Sequence, residues 1–157
     1  MRLSYSLPLP FKSQAKKRRS DALMTLNVYR NLHFQSLNSF KQSYGVLIKE
    51  QLPTSRKFDC ISIKYILNLK PTAGKPTKAD PYRGSKPRNI DLTNVLTMVD
   101  KVNQDVLVSS GIIPDDTIRY VQLVSFEVKP FASEDSITVI VEEITPEPDL
   151  RKDKYEI

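Results

Sequence analysis

The chain has 157 residues, 24 Lys and Arg against 18 Asp and Glu, a formal charge of +6, and 39% hydrophobic with 27% charged residues. That balance predicts a folded domain rather than a disordered chain, and no apolar run approaches the roughly 20 residues of a membrane helix. Single residues of two kinds, Cys60 and His33, exclude an internal disulfide, a cysteine knuckle and paired-histidine metal chemistry, and a reducing cytoplasmic setting is expected.

In chain order, residues 3–7 read as a short strand stopped by Pro8 and Pro10, which lack the ladder donor. The opening segment has no apolar signal core. Residues 11–21 read as an exposed basic loop and residues 23–34 as a second strand. Leu37, Phe40, Tyr44, Leu47, Ile48 and Leu52 fall at helical spacing, and Pro53 ends that helix. Residues 58–67 form the clearest strand, rich in β-branched and aromatic residues, with Cys60 read as a buried small hydrophobe.

Residues 71–88 hold four prolines and two glycines without an apolar run, the pattern of a long functional loop. Residues 91–109 form the strongest helix, with Asp91 as N-cap and Gly111 and Pro114 beyond its end. Residues 118–131 and 137–144 read as two strands paired antiparallel through a polar turn, and 145–157 as a charged tail. The expected fold is α+β, a mixed sheet packed on one side by two main helices, in a single domain over 1–144.

Charge is unevenly spread. Residues 1–34 hold seven Lys and Arg against Asp21, and residues 75–88 hold five against Asp80, so the remainder is net negative. Two separated basic stretches in one small domain point to a polyanion. The candidate contacts are Lys16, Lys17, Arg18 and Arg19 in the first loop, and Lys75, Lys78, Arg83, Lys86 and Arg88 in the second.

Acidic groups concentrate at element ends. Asp91 and Asn94 open the long helix, and the pair Asp115-Asp116 precedes a strand. Hard divalent cations take oxygen ligands, need one or two protein carboxylates, and leave positions for phosphate oxygens. On the helix, Leu92, Val95, Val99, Val102 and Val106 mark the core face, and Asn94, Lys101 and Asp105 a neighbouring stripe. Asp100 is expected to be a solvated surface charge. Lys101 can stabilise charge on a scissile phosphate, or pair with Asp105.

Read together, Arg88 to Asn94, then Lys101, Asp105-Val106-Leu107, and Gly111 to Asp116 resemble the RusA family of Holliday-junction resolvases, over roughly residues 86–129. Thr93 stands where the family pattern has a second aspartate, and the stretch from Asp91 to Lys101 is about one turn longer. Either the register slides by a turn, or a ligand comes from elsewhere, such as Asp115. The resemblance implies a homodimer that cuts branched DNA symmetrically with Mg²⁺ or Mn²⁺ and no small-molecule cofactor, in the cytoplasm of a bacterial host. Asp91, Asp115 and Asp116 would be metal ligands, and Asp91, Lys101 and Asp116 the catalytic set. Thr93, Asn94 and Asp105 would support them. Two other readings are a catalytically silent junction- or single-strand-binding module, and an RNA-binding accessory protein stacking bases on Tyr29, Phe34 and Phe40.

Overall fold

The computed structural model describes residues 1–11, 23–55 and 57–145, so the first basic loop with Lys16, Lys17, Arg18 and Arg19, and the tail from 146, lie outside the described residues. Strand β1 (Arg2–Leu7) alternates strictly, turning Leu3, Tyr5 and Leu7 into the core. The segment expected as a second strand is instead a short helix, α1 (Leu26–Arg30), followed by a turn into α2 (Phe34–Lys49). Two caps explain the correction. The Thr25 hydroxyl accepts from the Val28 amide at 3.2 Å, and His33 Nδ1 accepts from the Gln35 amide at 3.3 Å. Val28, Tyr29 and Leu32, at helical spacing, pack against the core from this segment.

Strand β2 (Ile61–Asn68) sends Ile61, Ile63, Tyr65 and Leu67 inward. After the long loop comes α3 (Leu92–Ser109), capped by the Asp91 carboxylate accepting from the Asn94 amide at 3.0 Å. Gly111, at φ +70°, carries the chain out of the helix. Strands β3 (Val121–Lys129) and β4 (Ser136–Glu143) follow.

The four strands form one mixed sheet in the order β1-β4-β2-β3. β2 and β3 run parallel, joined by the crossover that contains α3, while β4 is antiparallel to both β1 and β2. The expected hairpin between the last two strands is therefore absent. β2 lies between them, and the turn after β3 carries the chain past it.

Phe40, Tyr44 and Ile48 of α2 and Leu96, Val99 and Val102 of α3 belong to the core that the inward strand residues complete. The two helices approach closely at Gly45, where a Cβ would lie 3.3 Å from a Val106 methyl. Cys60 is buried, as expected. The architecture is α+β, with the short α1 added to the two main helices. Strand β3 is an open edge on which Leu123 and Val128 are exposed.

Candidate active cleft

Helix α3 carries two kinds of polar residue. At its start, Asp91 caps the helix and the Asn94 side-chain oxygen accepts from the Asn27 amide at 3.3 Å, tying α3 to α1. Thr93 is exposed beside them. Asp91 and Asn94 hold the helix end in place, and none of the three lines the cleft further along. From Asp91 to Lys101 the helix rises about 15 Å.

The cleft itself has a volume of about 240 Å³ and is lined by Tyr29, Lys41, Asp100, Lys101, Gln104, Asp105 and Asp116. Three residues singled out in the sequence, Lys101, Asp105 and Asp116, thus meet in one place. Asp115 does not line it; its carboxylate accepts from the Asp116 amide at 2.9 Å and shapes the turn. Asp105 pairs with Lys41 of α2 at 3.6 Å rather than with Lys101. The Lys41 pKa is raised, first by its hydrogen bond with Tyr29, with the charge of Asp105 adding to the effect.

Asp100 corrects the sequence reading most sharply. It is a partly buried carboxylate at the end of a polar chain that crosses the core. The Tyr5 hydroxyl donates to Asn103 Oδ1, Asn103 Nδ2 donates to the Tyr65 hydroxyl at 2.9 Å, and Tyr65 donates to Asp100 at 2.6 Å. Gln104 Nε2 donates to both Asp100 oxygens at 2.9 Å. Burial raises the Asp100 pKa above the usual carboxylate value, and the charge of Asp116 adds to that. Its hydrogen bonds with Tyr65 and Gln104 and the charge of Lys101 pull the other way. Burial also raises both tyrosines, with the negative charge of Asp100 acting in the same direction.

The sequence did hold a signal for this group. Leu96, Asp100, Asn103 and Leu107 lie on one stripe at helical spacing, and Leu96, Asn103 and Leu107 are fully buried. Polar residues set into an apolar stripe announce a hydrogen-bonded network, because an unpaired polar group there is costly.

Among the described residues, no group of three or more His, Cys, Asp or Glu side chains is arranged to hold a metal ion. The expected set Asp91, Asp115 and Asp116 is not assembled, since only Asp116 reaches the cleft. Asp100 and Asp116 do fit a hard cation. They are oxygen donors lining one cleft, the charge of one disfavours ionisation of the other, and two carboxylates suffice for Mg²⁺.

The second basic loop has its own internal structure. Thr72 N donates to Lys86 O at 2.8 Å, closing the loop, and Gly84 N donates to Thr72 Oγ1 at 3.1 Å. Lys86 pairs with Asp80 at 2.9 Å, and Arg88 with Asp135 in the turn before β4. Lys75, Lys78 and Arg83 are exposed. Of the aromatic residues weighed for stacking, Phe40 is buried against Tyr44 at 5.5 Å, Tyr29 lines the cleft and Phe34 is exposed. No helix among the described residues is long and apolar enough to cross a membrane. Compared with known proteins, the chain matches no family model and no curated protein.

Proposed function

We propose that the chain is a metal-dependent endonuclease acting on four-way DNA junctions, in the manner of the RusA-type resolvases its motifs resemble, with its centre in the cleft of α3. One observation carries this reading. Lys101 and Asp105, one turn apart on α3, and Asp116, beyond the helix end, line the same cleft and bring a cation beside carboxylates.

In this reading Asp100 and Asp116 hold Mg²⁺ or Mn²⁺, in place of the set built on Asp91 and Asp115. When bound, the ion supplies charge neutralisation at the scissile phosphate and activation of the attacking water. Lys101 lends positive charge to the same phosphate, as its place among the acidic groups allows. Lys41 holds Asp105 aside through their ion pair, and Tyr65 with Gln104 fixes the orientation of Asp100. Lys75, Lys78 and Arg83 provide phosphate contacts whose strength falls with salt. Paired cuts in two strands require two centres, hence a homodimer, and a bacterial cytoplasm is the compartment this activity implies.

A second reading, a junction-binding module without cleavage, is favoured by Asp91 serving as a helix cap, with no three-ligand group among the described residues. Incubation with an immobile junction and a matching linear duplex, with Mg²⁺, Mn²⁺ or chelator, separates the two. Symmetric, metal-dependent nicks confined to the junction, lost in Asp116→Asn while binding persists, are expected. Tight binding without nicks in either metal would overturn the nuclease and leave the binding module.

A further inference from the structure

The basic loop carries an aromatic residue that the proposed chemistry does not use. Tyr82 is 65% exposed in the middle of the loop. Its backbone is nevertheless fixed on both sides. Its amide donates to Asp80 Oδ1 at 3.3 Å, and its carbonyl accepts from the Ser85 amide at 3.0 Å and the Ser85 hydroxyl at 2.7 Å. Pro81, the residue just before Tyr82, has its φ fixed by its ring.

The turn beneath is closed by further bonds. Asp80 N donates to Thr77 Oγ1 at 3.0 Å, and Thr77 N donates to Asp80 O at 3.0 Å. Gly74 and Gly84, both at positive φ, let the two limbs of the loop pack backbone to backbone where a side chain on Gly84 would collide with the Gly74 carbonyl. The Lys86 ammonium lies 5.9 Å from the Tyr82 ring centre while also pairing with Asp80.

An exposed aromatic ring on an anchored backbone, with the Lys86 ammonium beside it and further exposed cations along the same loop, combines the two elements of single-strand recognition. Stacking on a ring is open to any base, and cations follow the phosphates on either side. A paired base is already stacked on its neighbours, so such a ring selects bases that have left the duplex.

We propose that Tyr82 is a stacking platform for an unpaired nucleobase, with Lys75, Lys78 and Arg83 holding the adjoining phosphates. The site rests on the nucleic-acid half of the function proposed above and is independent of cleavage. In a branched substrate it engages bases unstacked at the point of strand exchange.

Fluorescence anisotropy in chelator, with three labelled probes, tests it: an oligothymidylate, the same strand with abasic sites, and a duplex of equal length. The full chain should bind the base-bearing strand more tightly than the abasic one. Tyr82→Ala should weaken oligothymidylate binding about tenfold, bring it to the level of the abasic strand, and leave duplex binding unchanged. Tyr82→Phe should retain the wild-type values, since the ring alone stacks. Lys75→Ala/Lys78→Ala should weaken all three probes and flatten their salt dependence. Equal affinity of the parent and Tyr82→Ala for oligothymidylate would overturn the proposal, as would equal losses on strand and duplex. The same binding series with Asp116→Asn keeps the two inferences apart. A chain that never nicks DNA but discriminates bases through Tyr82 retains this site, and one that cuts junctions without that discrimination lacks it.

Discussion

Asp100 occupies a position on α3 between two buried apolar neighbours, Leu96 and Leu107. A carboxylate there costs stability whenever it is ionised, because burial opposes the charge more than its hydrogen bonds favour it, and the net direction of its pKa is upward. The folded protein therefore binds the Asp100 proton more tightly than the unfolded chain does. Stability falls as pH rises from the ordinary carboxylate range through the raised value, and stays lower above it. Asp100→Asn removes that loss while its amide oxygen still accepts from Tyr65 and Gln104, losing only the bond from Gln104 to the second oxygen. We expect the variant to have a higher denaturation midpoint than the parent at neutral pH, with the difference vanishing in acid. Junction cutting should be lost at the same time. Urea titrations at several pH values check this; a variant less stable than the parent at neutral pH would show that ionised Asp100 stabilises the fold. Under the proposed function, a residue that weakens the fold it stands in would be kept for its chemistry.

Among the elements, α3 is legible in the sequence because its period, its cap and its terminating Gly111 agree. The same cap decides the role of Asp91. If Asp91 serves only to accept from the Asn94 amide, Asp91→Ala should lower stability by about 1 kcal/mol and leave junction cutting within a factor of two of the parent. Denaturant midpoints and initial cutting rates provide the comparison, and a loss of cutting as deep as that of Asp116→Asn would return Asp91 to the metal site. Other elements were less legible for identifiable reasons. The apolar residues of α1 span little more than one turn, too few for a helical period to stand out from a strand. The relation of β3 to β4 is a matter of which strand lies between them, and the intervening β2 is more than fifty positions upstream of β3 in sequence. Local patterns do not encode that. Lys101 and Asp116, which both line the cleft, stand out in the sequence because basic and acidic residues at motif spacing are visible in one dimension. The stripe of Leu96, Asp100, Asn103 and Leu107 signals a bonded polar group, but its partners are not legible locally, because Tyr65 and the Tyr5–Asn103 pair bring in β1, β2 and the buried side of the helix.

The whole molecule separates its two candidate DNA contacts along one axis. The crossover between parallel strands brings α3 back against the sheet, so its first turn follows the basic loop and its later turns reach the cleft. Arg88 fixes the loop's exit to Asp135, whose other carboxylate oxygen accepts from the Lys70 amide at 2.8 Å at the loop's entry. One carboxylate thus joins both ends of the loop to the turn before β4. Since the rise of α3 from Asp91 to Lys101 is about 15 Å, a strand that lies in the cleft and reaches the loop covers about five nucleotides at the duplex rise. With the loop at the branch point, junctions whose arms are trimmed below about five base pairs should therefore keep the loop contacts and lose those of the cleft. The three exposed cations Lys75, Lys78 and Arg83 then stay engaged, so the dependence of log affinity on log salt should keep the about 2 to 3 units they contribute. Anisotropy measured over a salt series for arms of decreasing length reads both quantities together. A step in affinity and slope at the same arm length would mean that loop and cleft hold one continuous arm. A slope independent of arm length would assign them to different strands of the junction, with the loop reading the branch point and the cleft the arm beyond it.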